Sequence, residues 1–333
     1  MIHFSILGEP AQDNAALVTV NTSQSIHRLL FDCGEAVLNR VSYSEVQAID
    51  HVFFSHLHMD HISGFDSYFR ANFNRTSKEN HIWGPPDTAR ILQHRFQGFW
   101  WNHAADLEAL WVVHDVHEDH IQSTRFLARE AFSVAHDAGI RPHNGTLLDH
   151  EAYTVQAIPL SHHGVSLGYR VQEKPKTNIN MPRLTEMGLK SGAWIQHLKN
   201  KNFQESTLTI DGTEHSTEEL RAALLTEKEQ GSLAYITDLL IDEQALQSLA
   251  PFLNGVQTLI CESQFHPDDL ALAIKNHHTT PELAATLARD AGVKELVLFH
   301  VSQRYRADLW LDMLEKARAV FPATRFADHW NLD

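Results

Sequence analysis

Histidine and aspartate crowd one short stretch of this chain. Ser55-His56-Leu57-His58-Met59-Asp60-His61 sets three imidazoles and a carboxylate within six residues. Neutral imidazole and carboxylate both ligate transition-metal ions, and one tetrahedral zinc needs only four donors altogether. His56 and His58 are two apart, which turns both rings the same way in an extended segment. The economical reading is two metal ions sharing one loop, and such a pair performs hydrolysis with a metal-activated water. A second candidate lies far downstream. Glu262 closes the apolar run Thr258-Leu-Ile-Cys261. An unpaired carboxylate buried there would be costly, so it needs a partner.

Such residues need a scaffold. Asp50–Phe54 is apolar, reads as the strand in which Val46–Phe54 ends, and stops just before the histidine loop. In open α/β sheets functional loops sit at the carboxyl ends of strands. Further strands are expected over Ile2–Leu7, Ala16–Val20, His27–Phe31, Tyr153–Leu160, Leu233–Thr237, Thr258–Cys261 and Glu295–Phe299. Helices are expected over Pro86–Phe99, over Ser216–Lys228 with Ser216 and Glu219 as a capping pair, and near 242–250, 280–290 and 307–319. The alternation specifies an α/β protein. Two regions break it. Residues 100–150 read as an enlarged irregular segment, acidic and aromatic, and residues 173–212 as a polar insertion. Within the first, His114, His117 and His120 stand at ligand-like spacing but read as a surface run.

Composition narrows the classes. With 333 residues, the chain can bury a core without disulfides, and its two cysteines, Cys33 and Cys261, give no disulfide framework. So few cysteines make a reducing, cytoplasmic setting the expectation, and with no apolar run near membrane-spanning length and no signal-peptide features at the N-terminus, no membrane partner is expected. Formal net charge is −15 and there are 24 histidines. The acidity makes a poor global surface for a polyanion, so any nucleic-acid contact needs a local basic patch. The histidine count proves nothing without position.

His56-x-His58-x-Asp60-His61 after a strand resembles the signature of the metallo-β-lactamase superfamily. The resemblance implies an αββα sandwich over residues 1–333 as a single domain, and further ligands in order: a His, a bridging Asp and a final His. The matching positions are His162 in Leu-Ser-His-His-Gly-Val-Ser-Leu-Gly-Tyr, Asp238 in Tyr-Ile-Thr-Asp, and His300 in Val-Leu-Phe-His. His163 and His277 are neighbours without a role on this reading. Within the superfamily the chain is similar to the ribonuclease Z family of tRNA 3′-processing endonucleases. The segments that carry this are Leu29–Glu35, Gly168-Tyr169 after His162, Cys261-Glu-Ser-Gln-Phe265, His278-Thr-Thr280 and Phe299-His-Val-Ser-Gln-Arg-Tyr305. The chain departs from the family at Leu7-Gly-Glu-Pro10, where a glycine-rich turn is usual, and at Cys261, where a histidine is usual.

The resemblance assigns roles. His56, His58 and His162 would hold one divalent ion, zinc before manganese or iron. Asp60, His61 and His300 would hold the other, and Asp238 would bridge. Asp60, Glu262 and His278 form the catalytic set, with His278 as proton donor to the leaving 3′ oxygen and Glu262 orienting it. A homodimer and an RNA substrate, a tRNA precursor, are implied, with an inserted arm that grips RNA. Residues 174–201 carry Lys174, Lys176, Arg183, Lys190, Lys199 and Lys201 against the single acid Glu186, which suits that task. Gly192–Lys199 resembles the arm's Gly-Pro-rich segment, with Ala193 in place of the proline. The same chemistry on a small phosphodiester such as a cyclic nucleotide is the alternative. An inert nucleic-acid-binding relative and a thioester or lactam hydrolase are more distant ones.

Overall fold

The computed structural model describes residues 1–332 except 23, 201, 228 and 229. Its larger compact unit comprises Met1–Gln172 and Gly231–Asp333, and its smaller one Glu173–Gln230.

The first sheet runs in sequence order: β1 Ile2–Leu7, β2 Ala15–Asn21, β3 Ile26–Phe31, β4 His51–Phe53, β5 Asn80–Gly84, β6 Leu110–Val116, β7 His120–Leu127 and β8 His136–Pro142. β3, β4, β5 and β6 are mutually parallel, so their carboxyl ends open on one rim. The outer face of this sheet carries α1 Tyr43–Ala48, α3 Phe65–Asn72 and α4 Thr88–Phe96, with the one-turn α2 Met59–Ile62 inside the histidine loop. Val52, Ile82 and Val113 face these helices and pack with Phe65, Phe69 and Phe96.

The second sheet opens with β9 Thr146–Asp149, β10 Tyr153–Ser161 and β11 Val165–Glu173. After the smaller unit it continues with β16 Ser232–Ile236, β17 Thr258–Glu262, β18 Glu295–Phe299 and β19 Thr324–Arg325, all parallel from β16 onward. Phe31 and Phe53 of the first sheet meet Tyr169 of the second at 5.4 Å between ring centroids, and Phe31 meets Tyr235 at 5.7 Å. The apolar layer between the sheets runs through to α8 Glu243–Leu253, α10 Pro281–Ala291 and α11 Ala307–Val320 on the far side, with α9 Leu270–Lys275 beside them. The layers are therefore αββα.

The smaller unit is built from β12 Thr177–Ile179, α5 Met181–Glu186, α6 Trp194–Lys199, β13 Thr207–Ile210, β14 Thr213–Ser216, α7 Thr217–Leu224 and β15 Leu225–Glu227. Asp211 and Gly212 both take positive φ in the two-residue turn of the β13–β14 hairpin, the geometry such turns require. Leu184, Leu198, Leu208, Ile210, Leu220 and Leu224 form its own small core.

Four expectations need correction. Residues 100–150 are mostly strands, not irregular. β6 is buried on both faces, so it shows no alternation, and His114 and Asp115 inside it disguise it. β8 is an edge strand with most of its residues exposed, which lets it be polar. His114 is not part of a surface run: it is buried against Trp83 at 3.8 Å between ring centroids. The insertion ends at 230 rather than 212, because α7 turns Leu220 and Leu224 into the smaller unit's core. That helix stops at Leu224, where β15 begins pairing with β12.

Candidate metal centre

The donors gather at one rim because strands of both sheets end there. His56 follows β4, His162 follows β10, Asp238 lies just past β16, Glu262 ends β17 and His300 follows β18. Asp32 after β3, Asp238 and His300 adopt left-handed backbone with φ of 59°, 51° and 54°. Such a conformation costs a non-glycine residue about 1–3 kcal/mol. Its recurrence at the ends of three strands turns three side chains toward one point.

Asp238 lies at the centre and is 2% exposed. Its Oδ2 is 3.5 Å from His56 Nε2 and 3.6 Å from His162 Nε2. Its Oδ1 is 3.3 Å from His61 Nε2 and 3.7 Å from His300 Nδ1. Each carboxylate oxygen thus faces a different pair of imidazoles. Asp60 Oδ2 stands 3.5 Å from His61 Nε2 and 3.6 Å from His300 Nε2. Donor atoms of His56, His58, His162 and Asp238 all lie within 4.8 Å of one another, as do those of Asp60, His61 and His300. Asp238, Glu262, His278 and His300 form a third such grouping, but there Glu262 and His278 satisfy each other.

These residues fit metal ions. His56 Nε2, His61 Nε2 and His300 Nδ1 are buried with no hydrogen-bond partner, which native interiors rarely tolerate. Separations of 3.3–3.7 Å are longer than good hydrogen bonds yet suit donors arranged about a shared ion.

Burial, with the nearby imidazoles of His61, His58 and His162, pushes His56 down to about 2 against the pull of Asp238, so it is neutral and free to ligate. Burial also acts to lower His61, but the Asp238 and Asp32 carboxylates raise it well above the ordinary value. Burial works to raise the Asp60 and Asp238 carboxyls; neighbouring His61 and His300 overcome it and hold both well below the usual range. A metal ion binding here must displace protons from such imidazoles.

Beside the donors stands a polar pair. His278 Nδ1 and Glu262 Oε2 are 2.9 Å apart, and Glu262 Oε1 accepts the Leu239 N–H at 2.8 Å. Burial acts against both charges, yet each partner stabilises the other: Glu262 is held low and His278 is pushed up.

Three supporting groups were not evident from the sequence. Asp32, fully buried, accepts hydrogen bonds from Ser55 N–H and Oγ–H at 2.7 Å and Tyr235 Oη–H at 2.8 Å, and its Oδ2 lies 2.8 Å from His61 Nδ1. With Nδ1 so engaged, His61 presents Nε2 to the donors. Asn14 Oδ1 accepts the His300 N–H at 3.2 Å, while its Nδ2–H donates to Glu9 O at 3.2 Å. His162 Nδ1–H donates to the carbonyl of His277 at 3.1 Å, so His277 contributes its backbone although its ring is no donor. Asp32 left one signal in the sequence, an acidic residue closing the apolar run Leu29-Leu-Phe31.

The basic candidates lie in the smaller unit. Arg183 is exposed and paired with Glu186 at 2.9 Å, Lys176 and Lys190 are exposed, and Lys174 and Lys199 are half-buried. Lys201 lies outside the described residues.

Comparison with known proteins follows the same lines. A family profile described as "Anti-Pycsar protein Apyc1" matches residues 10–157, which include the histidine loop. The ribonuclease Z of Deinococcus radiodurans is 48% identical over 330 residues, covering 99% of this chain and 99% of its own. That of Oceanobacillus iheyensis is 26% identical, covering 96% and 94%. Among solved structures, the metallo-β-lactamase fold protein YhfI from Bacillus subtilis superposes with a TM-score of 0.57 at 17% identity, covering 98% of this chain and 95% of that one. The short form of human tRNase Z superposes at 0.52 with 17% identity, covering 91% and 94%. The two structural likenesses establish the metallo-β-lactamase fold.

Proposed function

The chain belongs to the ribonuclease Z family, and on that premise we propose that it is a metal-dependent endonuclease that cleaves tRNA precursors at the 3′ side. The observation that carries this reading is the 48% identity to a ribonuclease Z along the whole chain, joined to a donor cluster with a Glu262–His278 pair beside it. A small phosphodiester such as a cyclic nucleotide is not favoured as substrate by that relationship.

In this reading His56, His58 and His162 would hold one divalent ion, Asp60, His61 and His300 would hold a second, and Asp238 would serve both. We propose zinc; the same nitrogen and oxygen donors also accept manganese or iron. When bound, the ions supply hydroxide at neutral pH and neutralise charge on the phosphodiester. Asp60 is both ligand and part of the catalytic set, its carboxylate kept ionised by His61 and His300. Glu262 fixes the His278 ring through Nδ1–H, leaving Nε2–H to protonate the departing 3′ oxygen. Leu239 N–H in turn fixes Glu262.

The smaller unit is the proposed RNA-gripping arm, through Lys174, Lys176, Arg183, Lys190, Lys199 and Lys201. A homodimer is proposed from family membership. Cytoplasmic placement is proposed because Cys33 and Cys261 are both unpaired, as a reducing compartment keeps them.

The test is a pair of substrates. His278→Ala should slow cleavage of a tRNA precursor by about 10²–10⁴-fold, the usual contribution of a general acid. Turnover of bis(p-nitrophenyl) phosphate, whose leaving group departs unaided, should be largely spared, and metal content should equal that of the wild type. Equal slowing of both substrates, or loss of metal, removes His278 as proton donor. No cleavage of any tRNA precursor by the wild type removes the ribonuclease reading.

A further inference from the structure

A second concavity lies beside the donor cluster and contains none of its residues. It encloses about 470 Å³ and is lined by Pro86, Val116, Val165 and Leu167 among other apolar residues, together with His117, His143 and the exposed Glu118. A volume of this size is in the range of small-ligand sites.

Its position follows from topology. The histidine loop leaves the carboxyl end of β4, Pro86 lies just past β5, and Val116 ends β6; these three strands are adjacent and parallel. Loops from their carboxyl ends therefore share one rim. From the other sheet, Val165 comes three residues after His162, and Leu167 N–H donates to Ser55 O at 2.8 Å. One wall of the cleft is thus hydrogen-bonded to the residue that precedes His56.

The cleft is held in shape. The β6–β7 turn closes with His117 N–H donating to His120 O at 2.9 Å, and the His117 and His120 rings stack at 4.3 Å with planes 6° apart. His143 Nε2–H donates to His117 O at 2.8 Å, while its Nδ1 accepts Gly145 N–H at 3.0 Å. Both nitrogens of His143 are therefore occupied. The His117 ring makes no hydrogen bond with any described residue, so its polar edge is uncommitted.

Apolar walls with an uncommitted imidazole and, at the edge, the Glu118 carboxylate suit a planar heterocycle whose edges both accept and donate hydrogen bonds. The phosphodiester in the proposed reaction sits at the donor cluster, and the bases on either side of it must be accommodated nearby. A single cleft of this size takes one unstacked base, not a base pair. Sequence-tolerant recognition of unpaired nucleotides relies on such base contacts. We propose that this cleft, formed by His117, Val165 and their neighbours, binds the nucleobase of an unpaired nucleotide flanking the cleaved bond. The proposal rests on the ribonuclease reading above and adds a subsite to it.

The experiment uses the full-length metal-loaded protein and tRNA precursors with an abasic residue on one or the other side of the cleaved bond. The wild type should lose about tenfold in kcat/KM on one of the two abasic substrates, the effect expected of one base contact. Val165→Trp, which fills the cleft from a side chain already 51% exposed, and His117→Ala should cleave intact and abasic precursors at similar rates. Both variants should keep the wild-type metal content, so the loss of base preference is not a loss of the donor cluster. Equal cleavage of intact and abasic precursors by the wild type overturns the subsite and leaves the ribonuclease reading standing, as does a full wild-type preference in both variants. Absence of RNA cleavage with intact aryl-ester turnover overturns both.

Discussion

Two groups of histidines, one at the carboxyl rim and one within β4, β5 and β6, differ in what surrounds each ring. At the carboxyl rim, His56, His61, His162 and His300 surround carboxylates, and nitrogens of His56, His61 and His300 are buried with no hydrogen-bond partner. Toward the amino ends of β4 and β5, His51 and His81 are directly opposed in register, with His114 of β6 beside them. There the imidazoles bond to each other and to neutral groups. His81 Nδ1 and His114 Nε2 are 3.1 Å apart, His114 Nδ1 and Ser123 Oγ 2.8 Å, and Trp83 Nε1–H donates to His51 Nδ1 at 3.2 Å. The nearest carboxylate is the exposed Glu79, 3.4 Å from His81. No grouping of metal donors among the described residues includes this row. Burial of imidazole is common to both regions. A central carboxylate and unsatisfied nitrogens are what make one of them a site.

The comparison breaks most sharply at Asp238. Asp238→Ala should reduce bound metal below two ions per chain and abolish hydrolysis, a larger loss than the 10–100-fold typical of an outer partner. A variant retaining two ions and wild-type turnover would show that the carboxylate is not what sets this region apart. Asp32→Asn is the next step down. It keeps the shape of the side chain but removes the charge that engages His61, so metal affinity, read by competition with a chelator, should fall about 10–100-fold. An unchanged affinity would make Asp32 a link between Ser55 and Tyr235 and nothing more.

The difference between the two regions was only partly legible in the sequence. The histidine loop is local, so its six residues announce themselves. Strands 2–7, 258–261 and 295–299 were readable because their apolar runs are short and bounded. Asp32 was not, because its partners Tyr235 and His61 are 203 and 29 residues away. Asn14 reaches His300 across 286 residues. Spacing along a chain carries no trace of such contacts. The histidine row was invisible for a related reason. His51, His81 and His114 come together only through strand register, and β6 was hidden by the polar residues it buries. The extent of the smaller unit was misjudged because α7 has an ordinary amphipathic pattern, which shows that it packs but not against what.

The smallest expected effect concerns that row and its response to acid. Burial pushes His51 down to about 3 and His114 down to about 2, each assisted by the neighbouring imidazoles, and lowers His81 as well. Among the groups around them, Asp50 and Glu79 pull the other way, while Lys78, Arg75 and Arg141 add to the lowering. In the unfolded chain these rings titrate near the ordinary 6.5. Below that pH the unfolded state takes up protons that the folded state refuses. The row's contribution to stability is therefore complete above about 6.5 and is lost progressively as pH falls toward the folded values. Each such proton steepens the decline by up to ~1.4 kcal/mol per pH unit. His114→Gln removes one of them and keeps an amide that can bond Ser123. Urea unfolding of the chelated protein at pH 7 and pH 5 should show a shallower loss for this variant than for the wild type, whatever its stability at pH 7. Chelation applies equally to both proteins, so the donor cluster cancels in the difference. Bound metal and turnover at pH 7 should match the wild type, because the row is packing and not ligand. Parallel pH slopes would mean that His114 is protonated in the fold, and the contrast between the two histidine regions would lose its electrostatic half.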